Sequence, residues 1–345
     1  MVNLTIDERE VAVEEGATIL NAAAAAGIRI PTLCYHKRLN PIGSCRICVV
    51  EIEGFANPMT ACTTPVAEGI RVRTKSERLH GIRKENLKLI LVNHPLECPV
   101  CDKGGECDLQ NLVYEFGIEN AEYRADKIER CTDYSTPLIR HWPDRCIMCL
   151  RCITACQEIK ALGVLGVAGN GFSAQVSPVH KEKCTSCGEC LRLCPTGALT
   201  ENLSRYKGRA WMVNRVKTTC TYCGCGCQLE LNAANNRIIC VTTRDEEGTN
   251  KGSLCVKGRF GYEFIGSEDR LKKPLIKRDG EFREADWDEA LGLVAERLGA
   301  ITASNGPDAI AGLASARCTN EENYLLQKFM RAVIGTNNID HCARL

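Results

Sequence analysis

Apolar and polar positions alternate along Val2–Ile6, and an apolar stretch returns at Val11–Val13, with the polar run Asp7–Glu10 between them. A period of two marks a half-buried strand, so the pattern predicts a hairpin. The period then lengthens. Thr18–Ala26 reads as a helix closed by Gly27, which can take the left-handed conformation past a helix end. A second helix is expected over residues 76–92, with Ser76 as its N-cap and Leu79, Ile82, Leu89 and Ile90 near helical spacing. Two strands follow near Gln228–Asn232 and Arg237–Thr242, joined by the tight-turn pair Asn235 and Asn236. Trp287–Ile301 has the pattern of an amphipathic helix and Ala309–Leu313 that of a buried strand. Thr319 and Glu322 are spaced as a capping box, opening a helix that runs to about Ile334 and stops at Gly335.

Composition changes this picture in one respect. The chain of 345 residues has room for several domains, yet only 5% of it is aromatic while 24 residues are cysteine. A chain cross-linked by metal needs fewer large apolar side chains, because metal-binding energy is also folding energy. The net charge of +1 gives no reason to expect a nucleic-acid partner or disorder. The start, Met1–Glu10, lacks the basic region and apolar core of a signal peptide and shows no twin arginine. No stretch is long and apolar enough to span a bilayer. A cytoplasmic protein is the expectation.

Three chemistries compete for the cysteines. A disulfide framework suits a small exported chain. Zinc favours two C-x2-C pairs across a spacer. Here Cys146, Cys149, Cys152 and Cys156 form a C-x2-C-x2-C-x3-C run, and Cys184, Cys187, Cys190 and Cys194 form another, closed by Pro195. This is the bacterial ferredoxin spacing, and it favours iron–sulfur clusters over both rivals. Gln157 after the first run is a mild departure. In two-cluster ferredoxins the fourth cysteine of each run ligates the other cluster. The expected sets are therefore Cys146, Cys149, Cys152 and Cys194 for one [4Fe–4S] cluster, and Cys156, Cys184, Cys187 and Cys190 for its twin.

Three more constellations surround this repeat. Cys34, Cys45, Cys48 and Cys62 are spaced C-x10-C-x2-C-x13-C, unlike the C-x4-C opening of plant-type ferredoxins. The pattern resembles the [2Fe–2S] domain of the complex I large iron–sulfur subunit and of some iron hydrogenases. His94, Cys98, Cys101 and Cys107 resemble a histidine-ligated [4Fe–4S] site in the same two families. A neutral imidazole in place of a thiolate removes a negative charge, so this cluster's potential should be raised. Cys220, Cys223, Cys227 and Cys255, followed by Val256–Phe264, resemble the N-terminal [4Fe–4S] domain of molybdenum or tungsten bis-pterin enzymes. In that family a lysine two residues past the last cluster cysteine lies between cluster and pterin; Lys257 holds the position, and by itself would read as an ordinary surface lysine.

The final residues, Gly335–Leu345, resemble formate dehydrogenase catalytic subunits, where this stretch runs into a selenocysteine or cysteine that binds the metal. The resemblance implies that this ligand follows Leu345 and that the catalytic ligand lies outside the chain; the stop in mid-domain is then expected to be either a selenocysteine codon read as termination or the end of a fragment. Cys342 is then a packing residue, not the ligand. Cys131, Cys225, Cys240 and Cys318 are read likewise as small buried apolar residues, Cys225 being the one most open to a ligand role.

The fold expected is an α+β multi-domain iron–sulfur protein: a β-grasp [2Fe–2S] domain over 1–75, a histidine-ligated [4Fe–4S] domain over 76–135, a two-cluster ferredoxin domain over 136–207, a molybdopterin-oxidoreductase [4Fe–4S] domain over 213–270, and the start of an α/β bis-pterin domain over 271–345. The activity implied is oxidation of formate to carbon dioxide, or the reverse. The cofactor implied is a molybdenum or tungsten bis-pterin guanine dinucleotide. The partner implied is a flavin- and NAD(P)-binding diaphorase-type subunit or a ferredoxin. Two rivals stand beside it: a non-catalytic electron-transfer subunit like the complex I large subunit, and an iron hydrogenase, whose active-site cysteine motifs do not follow here.

Overall fold

The structure is a computed structural model that describes residues 1–120, 123, 133–245 and 247–342. Cys131 and residues 343–345 lie outside the described residues, as does the side chain of Cys342. The chain divides into two units, Met1–Asn214 and Arg215–Leu345.

The first unit opens with β1 (Val2–Ile6) and β2 (Arg9–Val13), paired antiparallel from Val2↔Val13 to Ile6↔Arg9. The turn is therefore two residues long, not the four of Asp7–Glu10. Asp7 and Glu8 both take positive φ, 45° and 69°, as a hairpin that follows the strand twist requires. The Asp7 carboxylate accepts from the Thr74 backbone N–H at 2.7 Å and from its hydroxyl, which holds the turn against residues beyond the last strand of the sheet. Helix α1 (Ile19–Ala25) is capped by Thr18 and ends with Gly27 N–H on the Ala24 carbonyl and Ile28 N–H on the Ala23 carbonyl, the Schellman pair that Gly27 (φ 70°) permits. Strands β3 (Val49–Ile52), β4 (Met59–Thr60) and β5 (Arg71–Arg73) complete a five-stranded sheet in the order β2-β1-β5-β3-β4, with β1 and β5 parallel. Ile6, Ile19, Ala22 and Val50 are fully buried in its core.

Helix α2 (Glu77–Asn93) starts at Ser76, as expected, but buries a different face. Leu79, Arg83, Leu87 and Leu91 point inward, whereas Leu89 is exposed. The register follows Arg83, whose guanidinium donates to the Val49 and Thr74 carbonyls at 2.6 and 3.0 Å and ties the helix to the sheet. Helix α3 (Asp108–Glu115) packs Leu109 and Leu112 on Leu87 and Leu91.

Residues 133–201 are built as two related halves. Strand β6 (Ile139–His141) pairs with β9 (Leu199–Glu201), closing the segment end to end. Between them lie α4 (Arg151–Thr154), which widens into a π-turn over Ala155–Ile159, the hairpin of β7 (Leu165–Ala168) and β8 (Gln175–Pro178), and α5 (Glu189–Leu193).

The second unit holds a three-stranded sheet of β10 (Asn214–Thr219), β11 (Gln228–Ala234) and β12 (Arg237–Thr242). Asn235 and Asn236 make the expected turn, with φ of 50° and 58°. After α6 (Val256–Phe260) come the hairpin of β13 (Leu275–Arg278) and β14 (Glu281–Glu284), and α7, which runs Trp287–Asn305, past the expected end. The strand read at Ala309–Leu313 sits instead at β15 (Gly312–Ser315), because Pro307 opens a short 3-10 turn through Ala309, and Leu313 is exposed. The Thr319–Glu322 capping box opens α8 (Asn320–Lys328), whose last turns widen before Gly335 (φ 91°) ends them. Strand β16 (Ile339–Cys342) pairs parallel with β15. Among the described residues, no helix is long and apolar enough to cross a membrane.

Candidate electron-transfer sites

Cys34, Cys45, Cys48 and Cys62 come together beside the five-stranded sheet. The Cys34 N–H donates to the Cys45 sulfur at 3.4 Å, and the Cys45 N–H donates back to the Cys34 sulfur at 3.5 Å. A hydrogen bond from Cys45 draws the Cys34 thiol down to about 5, and pushes Cys45 up in turn. Cys48 and Cys62 form the second such pair, Cys62 raised chiefly by its bond to Cys48 and further by the charges of Cys34 and Cys45. Four sulfurs thus sense one another in a site where three of the residues are buried.

His94 stands at the C-terminal end of α2, four residues before a tight turn over Cys98–Val100. The loop after Cys101 is held from a distance. The Arg209 guanidinium donates to the Cys101 carbonyl at 2.7 Å and to the Pro99 carbonyl, and the Trp211 ring lies where a Cβ on Gly105 would come, 2.9 Å away. Burial pushes the Cys107 thiol up to about 11. A Cβ on Gly197 would collide with the Cys101 sulfur, so this site abuts the residues just after Cys194.

The repeat draws its cysteines into two cavities. One is lined by Cys146, Cys149, Cys152 and Cys194. The other is lined by Cys156, Cys184, Cys187 and Cys190. Each takes three cysteines from one run and the fourth from the other, and Tyr134 borders both. The backbone repeats too. Met148 and Leu150 have φ of 51° and 62°; Ser186 and Gly188, at the same steps of the second run, have 50° and 72°. Left-handed Met, Leu and Ser cost about 1–2 kcal/mol each, a strain that surrounding structure must hold in place. Burial pushes Cys149 up to about 12 and raises Cys152 and Cys190, and the neighbouring sulfurs of each set add to it. Thiols so crowded resist ionising together, and metal ions among them would reverse that balance.

In the second unit Cys220, Cys223, Cys227 and Cys255 lie within mutual electrostatic reach. The Cys220 N–H bonds the Cys227 carbonyl at 2.8 Å, and Cys255 is the N-cap residue of α6. The Asn250 side chain accepts from the Gln228 N–H and donates to the Gln228 and Ser253 carbonyls, fastening the loop before Cys255 to β11. Lys257 is exposed in the first turn of α6. Cys225 and Cys318 are exposed and Cys240 is half-buried, so the expectation of buried packing residues fails for them. Cys225 lies in the turn between Cys223 and Cys227, and its sulfur bonds Cys223; Cys318 follows β15.

These donor sets fit iron–sulfur clusters. The cysteines of the repeat surround cavities. The Val164 N–H donates to the Cys156 sulfur at 3.3 Å, the contact that stabilises a charged cluster ligand. Arg145 Nη1 and Arg151 Nε, in residues flanking these cysteines, are buried without a partner among the described residues. Arg209, Trp211, Gly197, Asn250 and Tyr134 escaped the reading of the sequence, because their partners lie far away along the chain.

Comparison with known proteins agrees with this order. Residues 1–77 match the 2Fe-2S iron-sulfur cluster binding domain, 83–122 the NADH-ubiquinone oxidoreductase-G iron-sulfur binding region, and 136–200 the ferredoxin-like domain of NADH-quinone oxidoreductase subunit 3. Residues 213–267 match the molybdopterin oxidoreductase Fe4S4 domain and 270–345 molybdopterin oxidoreductase. The NADPH-Fe(3+) oxidoreductase subunit alpha of Geobacter sulfurreducens is 47% identical over all of this chain and 40% of its own length. An NADH-quinone oxidoreductase subunit of Rhizobium meliloti is 42% identical over 100% of this chain and 40% of its own. A Staphylococcus aureus protein provisionally named as a formate dehydrogenase is 33% identical over 99% of this chain and 39% of its own. The chain thus spans about two fifths of the length of these relatives. A chain in the crystal structure of an NAD+-reducing [NiFe]-hydrogenase superposes with a TM-score of 0.56 at 31% identity, covering 60% of this chain and 90% of that one. Matches to iron–sulfur domains, one of them the NADH-ubiquinone oxidoreductase-G iron-sulfur binding region, are therefore followed along this chain by matches to molybdopterin oxidoreductase domains over residues 213–345.

Proposed function

We propose that this chain relays electrons one at a time through five clusters, between a flavin-bearing, NAD(P)-linked partner subunit and a pterin-bound molybdenum or tungsten centre. Cys34, Cys45, Cys48 and Cys62 hold a [2Fe–2S] cluster. His94, Cys98, Cys101 and Cys107 hold a [4Fe–4S] cluster, as do the two crossed sets of the repeat and Cys220, Cys223, Cys227 and Cys255. When bound, each cluster takes up and returns one electron. The protein supplies thiolates, one imidazole and inward-turned backbone N–H groups, and keeps water from the buried sets. The observation that carries this reading is the crossed composition of the two cavities in the repeat. Zinc pairs or scattered buried cysteines give no reason for each run to lend its fourth member to the other.

The substrate reading is formate oxidised to carbon dioxide, a proton and two electrons. It rests on the Gly335–Leu345 stretch and on the provisional formate dehydrogenase name of a relative. In it Lys257 bridges the Cys220–Cys255 cluster and the pterin. A second reading is favoured by the higher identity to the NADPH-Fe(3+) oxidoreductase subunit: the module serves NADPH-linked electron transfer without formate chemistry. Anaerobic protein should carry about 18 irons with matching sulfide, as one [2Fe–2S] and four [4Fe–4S] clusters require. Far less iron, or zinc in its place, overturns the relay. Formate added to the complete protein should then reduce the clusters, followed by EPR; reduction by NADPH alone selects the second reading.

A further inference from the structure

One guanidinium reaches three ligand-bearing segments at once. Arg151 lies between Cys149 and Cys152 at the start of α4 and is only 6% exposed. Its Nη2 donates to the carbonyl of Tyr35, the residue after Cys34, at 2.7 Å. Its Nη1 pairs with the carboxylate of Asp108, the residue after Cys107, at 3.1 Å. Its own backbone N–H bonds the Cys149 sulfur. Asp108 extends the junction, because its N–H donates at 2.9 Å to the carbonyl of Pro195, the residue after Cys194. The segments of the [2Fe–2S] set, the histidine-containing set and the Cys146–Cys194 set therefore meet through one buried cation and its partner.

Burying a guanidinium is costly, and well-packed apolar residues often stabilise a fold as well or better. A charge retained in such a place needs another use. Coulomb attraction falls slowly with distance and is little screened inside a protein, so a single cation there acts on every negative group around it. The carboxylate of Asp108 is about half exposed, at 47%, so solvent weakens its hold on that charge.

We propose that Arg151 is a positioning residue shared by three cluster sites, fixing the spacing of their segments and favouring the reduced state of all three together. The consequence is functional. Three relays whose potentials move as a set leave no member as a trap or a barrier for the passing electron.

The inference rests on the cluster reading above, so iron and sulfide are measured on every sample. The experiment is an EPR-monitored redox titration of the anaerobically purified complete protein and its variants. Arg151→Gln should lower the reduction equilibrium of the [2Fe–2S], histidine-ligated and Cys146–Cys194 clusters tenfold or more, ~59 mV each for one electron. The other two clusters should move less. Arg151→Lys keeps the charge and should bring the three potentials back toward wild type. Asp108→Asn removes the compensating carboxylate and should move the same clusters in the opposite direction. If Arg151→Gln does not load iron, Asp108→Asn decides alone. A shift confined to one cluster, or unmoved potentials in fully loaded variants, overturns the proposal. Wild-type protein without clusters removes the relay reading, and this inference with it.

Discussion

At the scale of single residues, the cysteine spacings were legible and the residues that hold their segments in place were not. Ligand spacing is local: C-x2-C-x2-C-x3-C can be read from a dozen consecutive residues. Gly197 shows the opposite case. Nothing near it in sequence signals that the Cys101 sulfur would stand in the way of a Cβ there. Gly197→Ala should therefore push Cys101 aside and cost the protein the histidine-ligated cluster, read as about 4 fewer irons and the loss of that cluster's EPR signal. Full iron content in this variant would show that the loop yields instead. Asn250 is a second such residue, with three side-chain hydrogen bonds across the loop before Cys255. Asn250→Ala should cost about 2–3 kcal/mol, read from the denaturant midpoint, and speed iron loss from the second unit. Cys225 and Cys318 failed as buried packing residues because cysteine's average burial says nothing about a turn that must stay at the surface.

Elements were legible where a cap or a turn fixed them. Thr18, Ser76 and the Thr319–Glu322 box each open a helix where the pattern placed one, because a side chain bonding an orphan N–H is a purely local event. Faces were less legible. Leu89 fits a helical stripe, yet the buried face of α2 turns toward Arg83, whose carbonyl partners come from Val49 and Thr74. The strand expected at Ala309–Leu313 shifted to Gly312–Ser315, and only the parallel pairing with Ile339–Cys342 selects that register. The β11–β12 turn can be tested. Asn235 and Asn236 both hold positive φ, so Asn236→Gly should be neutral or slightly stabilising. Asn236→Val, with its branched Cβ, should destabilise the second unit by about 1–2 kcal/mol, seen as a lower denaturant midpoint. Equal midpoints for the two variants would mean that the left-handed geometry is not required.

At the scale of the molecule, the proposed clusters and apolar burial would divide the work of folding unevenly along the first unit. The sheet of residues 1–75 owns a continuous core that includes Leu4, Ile6, Ile19, Val50, Ile52 and Val72. Between Cys146 and Cys194 the chain has short helices, a two-stranded hairpin and cavities lined by cysteine, and one of its small core clusters is only Leu39, Ala155 and Leu193. Binding energy of metal to thiolate is available only in the folded state, so it counts directly as folding energy there. The left-handed residues Met148, Leu150 and Ser186 add strain that this segment must hold without a large core. Stripping the clusters with a chelator should therefore melt the molecule in parts. Amide hydrogen exchange should stay slow in β1, β5 and α1 while protection disappears from α4 and α5 and from the loops that carry the repeat. The two-stranded pair of β6 and β9, which closes the repeat, should open with them. Uniform protection across residues 1–200 after complete iron removal would show that side-chain packing alone sustains the repeat, and the ligand sets would then owe their geometry to the fold and not the fold to the ligands.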